Sequence, residues 1–421
     1  MSALRSTEMI PLSAPEIRGN EWRYIKECLD SGWVSSVGAF VNRFEEAVAD
    51  RCGAKYSVAT TSGTAGLHIA LLTAGINPGD EVLMPALTFI APANAIRYAG
   101  AHPIFMDVDP AHWQMDIGKA TDFLRDECHP IDEGLINKSS GRRVRALLPV
   151  HILGHPVDME PLLELARRFD LIVIEDASES LGARYKGQPV GVLGDIGVFS
   201  FNGNKIITTG GGGMMVTNNG GWAAKARYLT TQAKDDPLEY IHKAIGYNYR
   251  LTNIQAAMGV AQMERLDEYI AAKRAIAARY EQELRSLPGI SLPREAEWAE
   301  SVWWLYTILI DEGAYRGGWR EWHNQLAKQG VETRPLWRPL HELEPYRDCQ
   351  AYRIEVAADI QRRALSLPSS VGLTESQQAR VIEAVGATAE RLFRGRAGSN
   401  WRLIRAEHQA GSGITVGEAV K

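Results

Sequence analysis

The sequence predicts an α/β fold, a mostly parallel central sheet with helices on both faces, followed by a smaller α+β unit. Three observations carry that expectation. Between about residues 55 and 220, short apolar runs alternate with helical patterns, the alternation that parallel strands joined by helical crossovers produce. From about residue 290 the pattern changes to separated strands and helices. Between these regions runs "LTNIQAAMGVAQMERLDEYIAAKRAIAARYEQELRSL", one long helix or two. Thr252 with Gln255 three residues on forms a capping box at its start.

Taken in order, "YSVATTS" reads as a strand and "GTAGLHIALLTAGI" as the helix after it. "PGD" makes a turn, "EVLMPA" a strand and "PANAIRYAGA" a helix. "PIFMDVD", "VRALLPVH" and "LIVIEDAS" are further strands, with helical stretches between them beginning near Met115 and Asp158. Residues 197–201 and 212–217 are two more strands, with Lys205 between them. The run "VWWLYTILI", Val302 to Ile310, is too short to span a bilayer and reads as a buried strand. A last helix is expected near 374–393. The expected domains are 1–250 (large, with an N-terminal arm), a connecting helical region 251–289 and a small α+β domain 290–393, with a polar, mobile extension over 394–421.

With 421 residues the chain can bury a large core. At 45% hydrophobic and 23% charged it has the composition of a soluble protein. A net charge of −5 argues against a nucleic-acid binder held by phosphate contacts. Cys28, Cys52, Cys128 and Cys349 lie far apart without metal-ligand spacing, so reduced, structural thiols, a cytoplasmic setting and no metal are expected. The N-terminus lacks a basic-then-apolar signal pattern.

The stretch "SFNGNKIITTGGGGMMV", Ser200 to Val216, sets the functional question. Lys205 could sit in a solvated loop, since glycine runs make turns. The phosphate-loop pattern G-x-x-x-x-G-K-[ST] is absent, because Lys205 precedes the glycines. A third reading is a lysine on a tight turn between strands, held for Schiff-base chemistry with a flat cofactor. In open α/β sheets ligands bind beyond the carboxyl ends of strands, and other informative residues lie there too. Ser62, Gly63 and Thr64 open a helix, where free N–H groups suit an anion, or where Ser62 acts only as a cap. Phe89 could cover a ring face or belong to the core. Glu175 and Asp176 end an apolar strand, and a carboxylate there calls for a cationic partner. A protonated pyridine nitrogen would serve, as would a salt bridge. Glu179 could reach the same ring, Ser200 a phosphate, and His151 the cofactor or substrate. Asn248 and Arg250 lie before the long helical stretch, where a turn would present them.

Together, "SGTAGLHIAL", "PALTFIAPANAI", "EDASESLGA", "GDIGVFSFNGNKIITTGGGGM", "GYNYRLTNIQAAMG", "SGWVSSVGAFVNRFEEAVA" and "ETRPLWRPLHELEPYR" resemble the fold-type-I, pyridoxal-phosphate (PLP)-dependent nucleotide-sugar aminotransferases of the DegT type, over nearly the whole chain. The resemblance implies that Lys205 is the Schiff-base lysine and Asp176 the partner of the pyridine nitrogen. It makes Phe89 the stacking residue, Glu179 the contact to the ring hydroxyl, and Ser62, Gly63, Thr64 and Ser200 the phosphate cup. It implies that Asn248 reaches the phosphate of a neighbouring subunit in a homodimer. His151, Asn202 and Arg334 are the expected substrate contacts, with L-glutamate as amino donor and a nucleotide sugar as acceptor. Two residues depart from many relatives: Asn202 stands where they have His, and Gly211 where they have Glu. The "FNGNK" form resembles most the branch that aminates C4 of UDP-linked 2-acetamido-4-keto-6-deoxy sugars. A GDP-sugar aminotransferase of perosamine type is the alternative within the family. A PLP-dependent dehydratase would carry His at position 205, and a non-catalytic sugar-binding regulator would be expected to lose Lys205 or Asp176.

Overall fold

A computed structural model of the chain describes residues 9–394, apart from residues 133 and 237. The polar stretch 395–421 lies outside the described residues. Arg394, the first residue of the expected extension, is tied to the carbonyls of Ala314 and Tyr315.

Ten strands form the central sheet. Its main path runs Tyr56–Thr60, Gly213–Thr217, Ile196–Ser200, Ile172–Asp176, Arg143–Leu147, Glu81–Pro85, His102–Met106, Ala351–Tyr352. From Ile196–Ser200 onward every neighbour is parallel. Gly213–Thr217 is antiparallel to both of its neighbours. Successive side chains of a strand point to opposite faces. Val173 accordingly joins a core on one side of the sheet and Ile174 a core on the other. Both faces being covered, the parallel strands read as continuous apolar runs.

A third core gathers Tyr280, Trp322, Ile308, Leu365 and Val381 around a four-stranded sheet that includes Tyr306–Ile310 and Ala364–Leu367. The stretch after Thr252 forms two helices, Asn253–Met263 and Leu266–Leu284, and the Thr252–Gln255 capping box is present.

The structure departs from expectation in three places. A hairpin of Cys128–Ile131 and Gly134–Asn137 extends the sheet unannounced. Three of the four residues in Cys128–Ile131 are exposed, so the segment carries no apolar signal. The strand expected over 302–310 begins only at Tyr306. Before it, Val302 and Trp304 donate their N–H groups to the carbonyls of Gly154 and Leu153, and Trp303 adopts φ 50°. Finally, the N-terminal arm joins the C-terminal unit. Ile10 exchanges backbone bonds with Gly330 and Glu332, and its side chain lies in the third core.

Candidate active site

The parallel strands deliver their carboxyl ends to one cavity of about 320 Å³. Ser62 caps the helix Gly63–Thr73, its Oγ accepting from the Ala65 N–H at 3.1 Å. Among the described residues the N–H groups of Gly63 and Thr64 have no hydrogen-bond partner, and both residues line the cavity, where the helix dipole favours an anion. A side chain at Gly63 would meet Ser200 Cβ at 2.9 Å, and one at Gly213 would meet the Ser62 carbonyl oxygen at 2.4 Å. The glycine that ends the run after Lys205 is therefore needed for close approach: it lets the returning strand pass against the cup.

Across the cavity stand the charged groups. Asp176, at the end of its strand, is buried, with Oδ1 accepting from the Ser178 N–H at 3.0 Å. Burial raises its pKa, against hydrogen bonds from Ser178 and the nearby charge of Lys205. Glu179 is buried as well. Its Oε2 accepts from the Leu153 N–H at 2.8 Å, and its Oε1 lies 3.4 Å from Lys205 Nζ. Burial is the main cause raising its pKa, and Lys205 opposes it. Lys205 Nζ lies 3.9 Å from the centroid of the Trp304 ring.

An aromatic wall closes one side. Trp304 stacks on Trp337 at 7° with centroids 6.3 Å apart, and Phe89 lies 6.3 Å from Trp337. Phe89 is 51% exposed, so it belongs to the cavity rim and not to the core. Ser200, Asn202 and Arg334 line the same cavity, the last with its guanidinium 3.8 Å from Glu332.

Two expectations are corrected, for His151 and Arg250. His151 does not line the cavity. It is fully buried, with Nε2 2.9 Å from Glu175 Oε2 and Nδ1 accepting from the Val157 N–H. Val150 pairs with Asp176 and lines the cavity, so the next residue points to the opposite face, where Glu175 also points. There Glu175 also accepts from Gly191 and Gly194. Arg250 is not presented to solvent or to a partner; it is buried in an ion pair with Glu45 and reaches the Ala59 carbonyl. Asn248 is exposed and stands outside the cavity of its own chain. Ser178, Trp304 and Trp337 line the cavity and were missed from the sequence. Trp304 was hidden because "VWWL" reads as core strand, and Trp337 because nothing local in "ETRPLWRPLHELEPYR" says which way its ring faces.

The donor set fits a planar cationic ring carrying an anionic tail. N–H groups and hydroxyls at the helix start would suit the tail, the buried Asp176 would suit a protonated ring nitrogen, and the amine of Lys205 lines the same cavity. These are the elements of a fold-type-I PLP enzyme. The DegT/DnrJ/EryC1/StrS aminotransferase family model matches residues 15–386, and the chain belongs to that family. It is a PLP-dependent aminotransferase. The GDP-perosamine synthase of Caulobacter vibrioides is 43% identical over 381 residues, covering 89% of this chain and 97% of that protein. The GDP-perosamine synthase of Escherichia coli O157:H7 is 40% identical over 376 residues, covering 89% and 97%. Among solved structures, DesV of S. venezuelae superposes with a TM-score of 0.82 at 32% identity, covering 92% of this chain and all (100%) of that one.

Proposed function

We propose that the chain transfers the amino group of L-glutamate to C4 of a GDP-linked 4-keto-6-deoxymannose, releasing 2-oxoglutarate and a GDP-linked 4-amino sugar. The observation that carries the nucleotide is that three relatives, at 43%, 40% and 34% identity, are named GDP-perosamine synthases. This reverses the order drawn from "FNGNK", which favoured the UDP-linked acetamido sugar; that sugar becomes the second reading. The dehydratase and regulator readings fall with membership of an aminotransferase family and with Lys205 and Asp176 both at the cavity.

When bound, PLP supplies an electron sink for the carbanion formed at the amino donor. Asp176 keeps the ring nitrogen protonated, which its buried setting makes effective. Gly63, Thr64 and Ser200 would hold its phosphate. Lys205 would hold the cofactor as a Schiff base and, as a free amine at the cavity wall, would be placed to carry a proton to and from the reacting carbon in both half-reactions. Glu179, fixed by the Leu153 N–H, orients the amine. Arg334 stands where it can meet a donor carboxylate or a pyrophosphate, and the Trp304–Trp337 wall suits the apolar face of a deoxy sugar.

The active unit in this reading is a homodimer. Its support is the set of exposed apolar residues Trp33, Val37, Leu238, Tyr240 and Ile245, together with an Asn248 that is exposed and does not line its own cavity. Among the described residues no helix is long and apolar enough to cross a membrane. The test is a panel of 4-keto-6-deoxy sugars on GDP, UDP and dTDP with glutamate as donor. Turnover of the GDP sugar well above the others is expected; preference for the UDP-acetamido sugar would restore the second reading.

A further inference from the structure

Lys273, in the helix Leu266–Leu284, is a second lysine near the site, and its surroundings are unusual. It is 3% exposed, and its Nζ donates to two main-chain carbonyls, those of Trp304 (2.6 Å) and Ser369. No carboxylate lies within ion-pair distance among the described residues, and burial alone draws its pKa down to about 7. A buried amine without a counter-ion costs stability, which raises the question of what its two bonds hold.

Both carbonyls belong to segments beside the cavity. Ser369 follows the strand Ala364–Leu367, whose Ser366 lines the cavity. Trp304 is fixed at several further points. Its backbone N–H donates to the Leu153 carbonyl at 2.9 Å, its indole N–H donates to the Asn204 carbonyl at 2.7 Å, and its ring stacks on Trp337. The indole bond reaches the residue just before Lys205. The same ring presents its face to Lys205 Nζ at 3.9 Å, while Glu179 Oε1 stands 3.4 Å from that nitrogen.

We propose that Trp304 is a positioning residue for the reactive lysine. Its indole N–H pins the turn that carries Lys205, its ring face keeps the free amine inside the cavity and attracts it once it has taken up a proton, and the buried Lys273 holds Trp304 in place from behind. The inference rests on the proposed role of Lys205 as proton carrier. A lysine side chain has four freely rotating bonds, and a freed amine would otherwise sample solvent. An aromatic face attracts an ammonium, and more strongly when the pair is removed from water.

The first test needs no cofactor. Lysines of the PLP-free protein are labelled by reductive ¹³C-methylation, and the Lys205 signal is assigned by its loss in Lys205→Ala. Over an indole face it should resonate upfield of the solvent-exposed lysines, return toward them in Trp304→Leu, and move part of the way in Lys273→Met. Trp304→Phe, which keeps a ring, should retain most of the shift. The second test is the single-turnover rate of the glutamate half-reaction. Trp304→Leu should slow it by about 10-fold, the size of a partly desolvated cation–π contact, with PLP affinity within a few-fold of wild type. Trp304→Phe should recover most of the rate. Adding Lys273→Met to Trp304→Leu should cost little more, because both act on one contact. A Lys205 signal among the exposed lysines in wild type overturns the proposal, as does an unchanged half-reaction in Trp304→Leu. The proposed function fails separately: if the cofactor were bound to another lysine, the signal from Lys205 in the PLP-free protein would still report the indole contact.

Discussion

Lys205→Ala should abolish transamination and leave the fold intact, because the side chain lies at the cavity wall and its ion pair is a single 3.4 Å contact with Glu179. Borohydride reduction of wild type followed by peptide mapping should place the cofactor on Lys205; label on another lysine, with Lys205→Ala still active, would sink the assignment. Asp176→Asn keeps the volume and removes the charge that favours a protonated ring. Electrostatic terms at such positions are worth roughly 3 kcal/mol, so turnover should fall by at least about 100-fold while the thermal midpoint moves little. A mutant within a few-fold of wild type would reduce Asp176 to a structural cap. At this scale the sequence is most readable where chemistry restricts the residue type: Lys, Asp and small cup residues have few substitutes. It misleads at His151, where strand-end position was read without the alternation that sends its side chain to Glu175. It is silent on Trp304 and Trp337, whose function depends on which way each ring faces.

Elements were legible wherever both faces of a strand are apolar, and illegible where bonding partners come from a distant loop. The irregular segment 302–305 is such a case: the turn Leu153–Gly154, far away in sequence, supplies the carbonyls that a neighbouring strand would otherwise give. His155, next in that loop, ties it to the same region. Its Nδ1 hydrogen-bonds to the Pro156 carbonyl, and its Nε2 accepts from the Ala296 N–H at 3.1 Å. That pattern uses the neutral ring, with the proton on Nδ1. Burial lowers its pKa to about 4 from an ordinary 6.5, against the opposing hydrogen bond to the Pro156 carbonyl. A group depressed in the folded state binds protons more readily when unfolded, so its stabilising share is complete above about pH 6.5 and is lost as pH falls through 4. The loss should reach about 3 kcal/mol. Urea melts of wild type and His155→Gln across this range should converge toward acid pH; parallel curves would show that His155 does not titrate there.

Across the whole molecule, the cavity gathers residues from the large sheet, from the segment before Tyr306, and from Arg334 to Trp337 in the C-terminal part. That gathering was only partly readable. The order of cup, aromatic, Asp and Lys announced the site, whereas the attachment of the N-terminal arm to Gly330 and Glu332 rests on long-range pairing with no local signature. The same reasoning governs assembly. Asn248 lies between Tyr247 and Tyr249, which stack on each other and pack around His68 of the cup helix. Its neighbour Arg250 is anchored to Glu45. The segment is therefore held rigidly while Asn248 is exposed and away from its own cup. A rigid loop that presents one amide outward suits a site shared across a two-fold axis, since an isologous dimer would bring each Asn248 to the other chain. Lys205→Ala and Asn248→Ala, each impaired alone, should then partly complement after subunit exchange. One site of the mixed dimer would have an intact Lys205 from one chain and an intact Asn248 from the other. Activity should recover toward a quarter of the wild-type level if about half of the dimers are mixed and each carries one complete site in two. Light scattering on a sizing column gives the mass, and isotope-labelled chains verify exchange. A fully active monomer, or no recovery despite verified exchange, would place the complete site within one chain and leave Asn248 an ordinary turn residue.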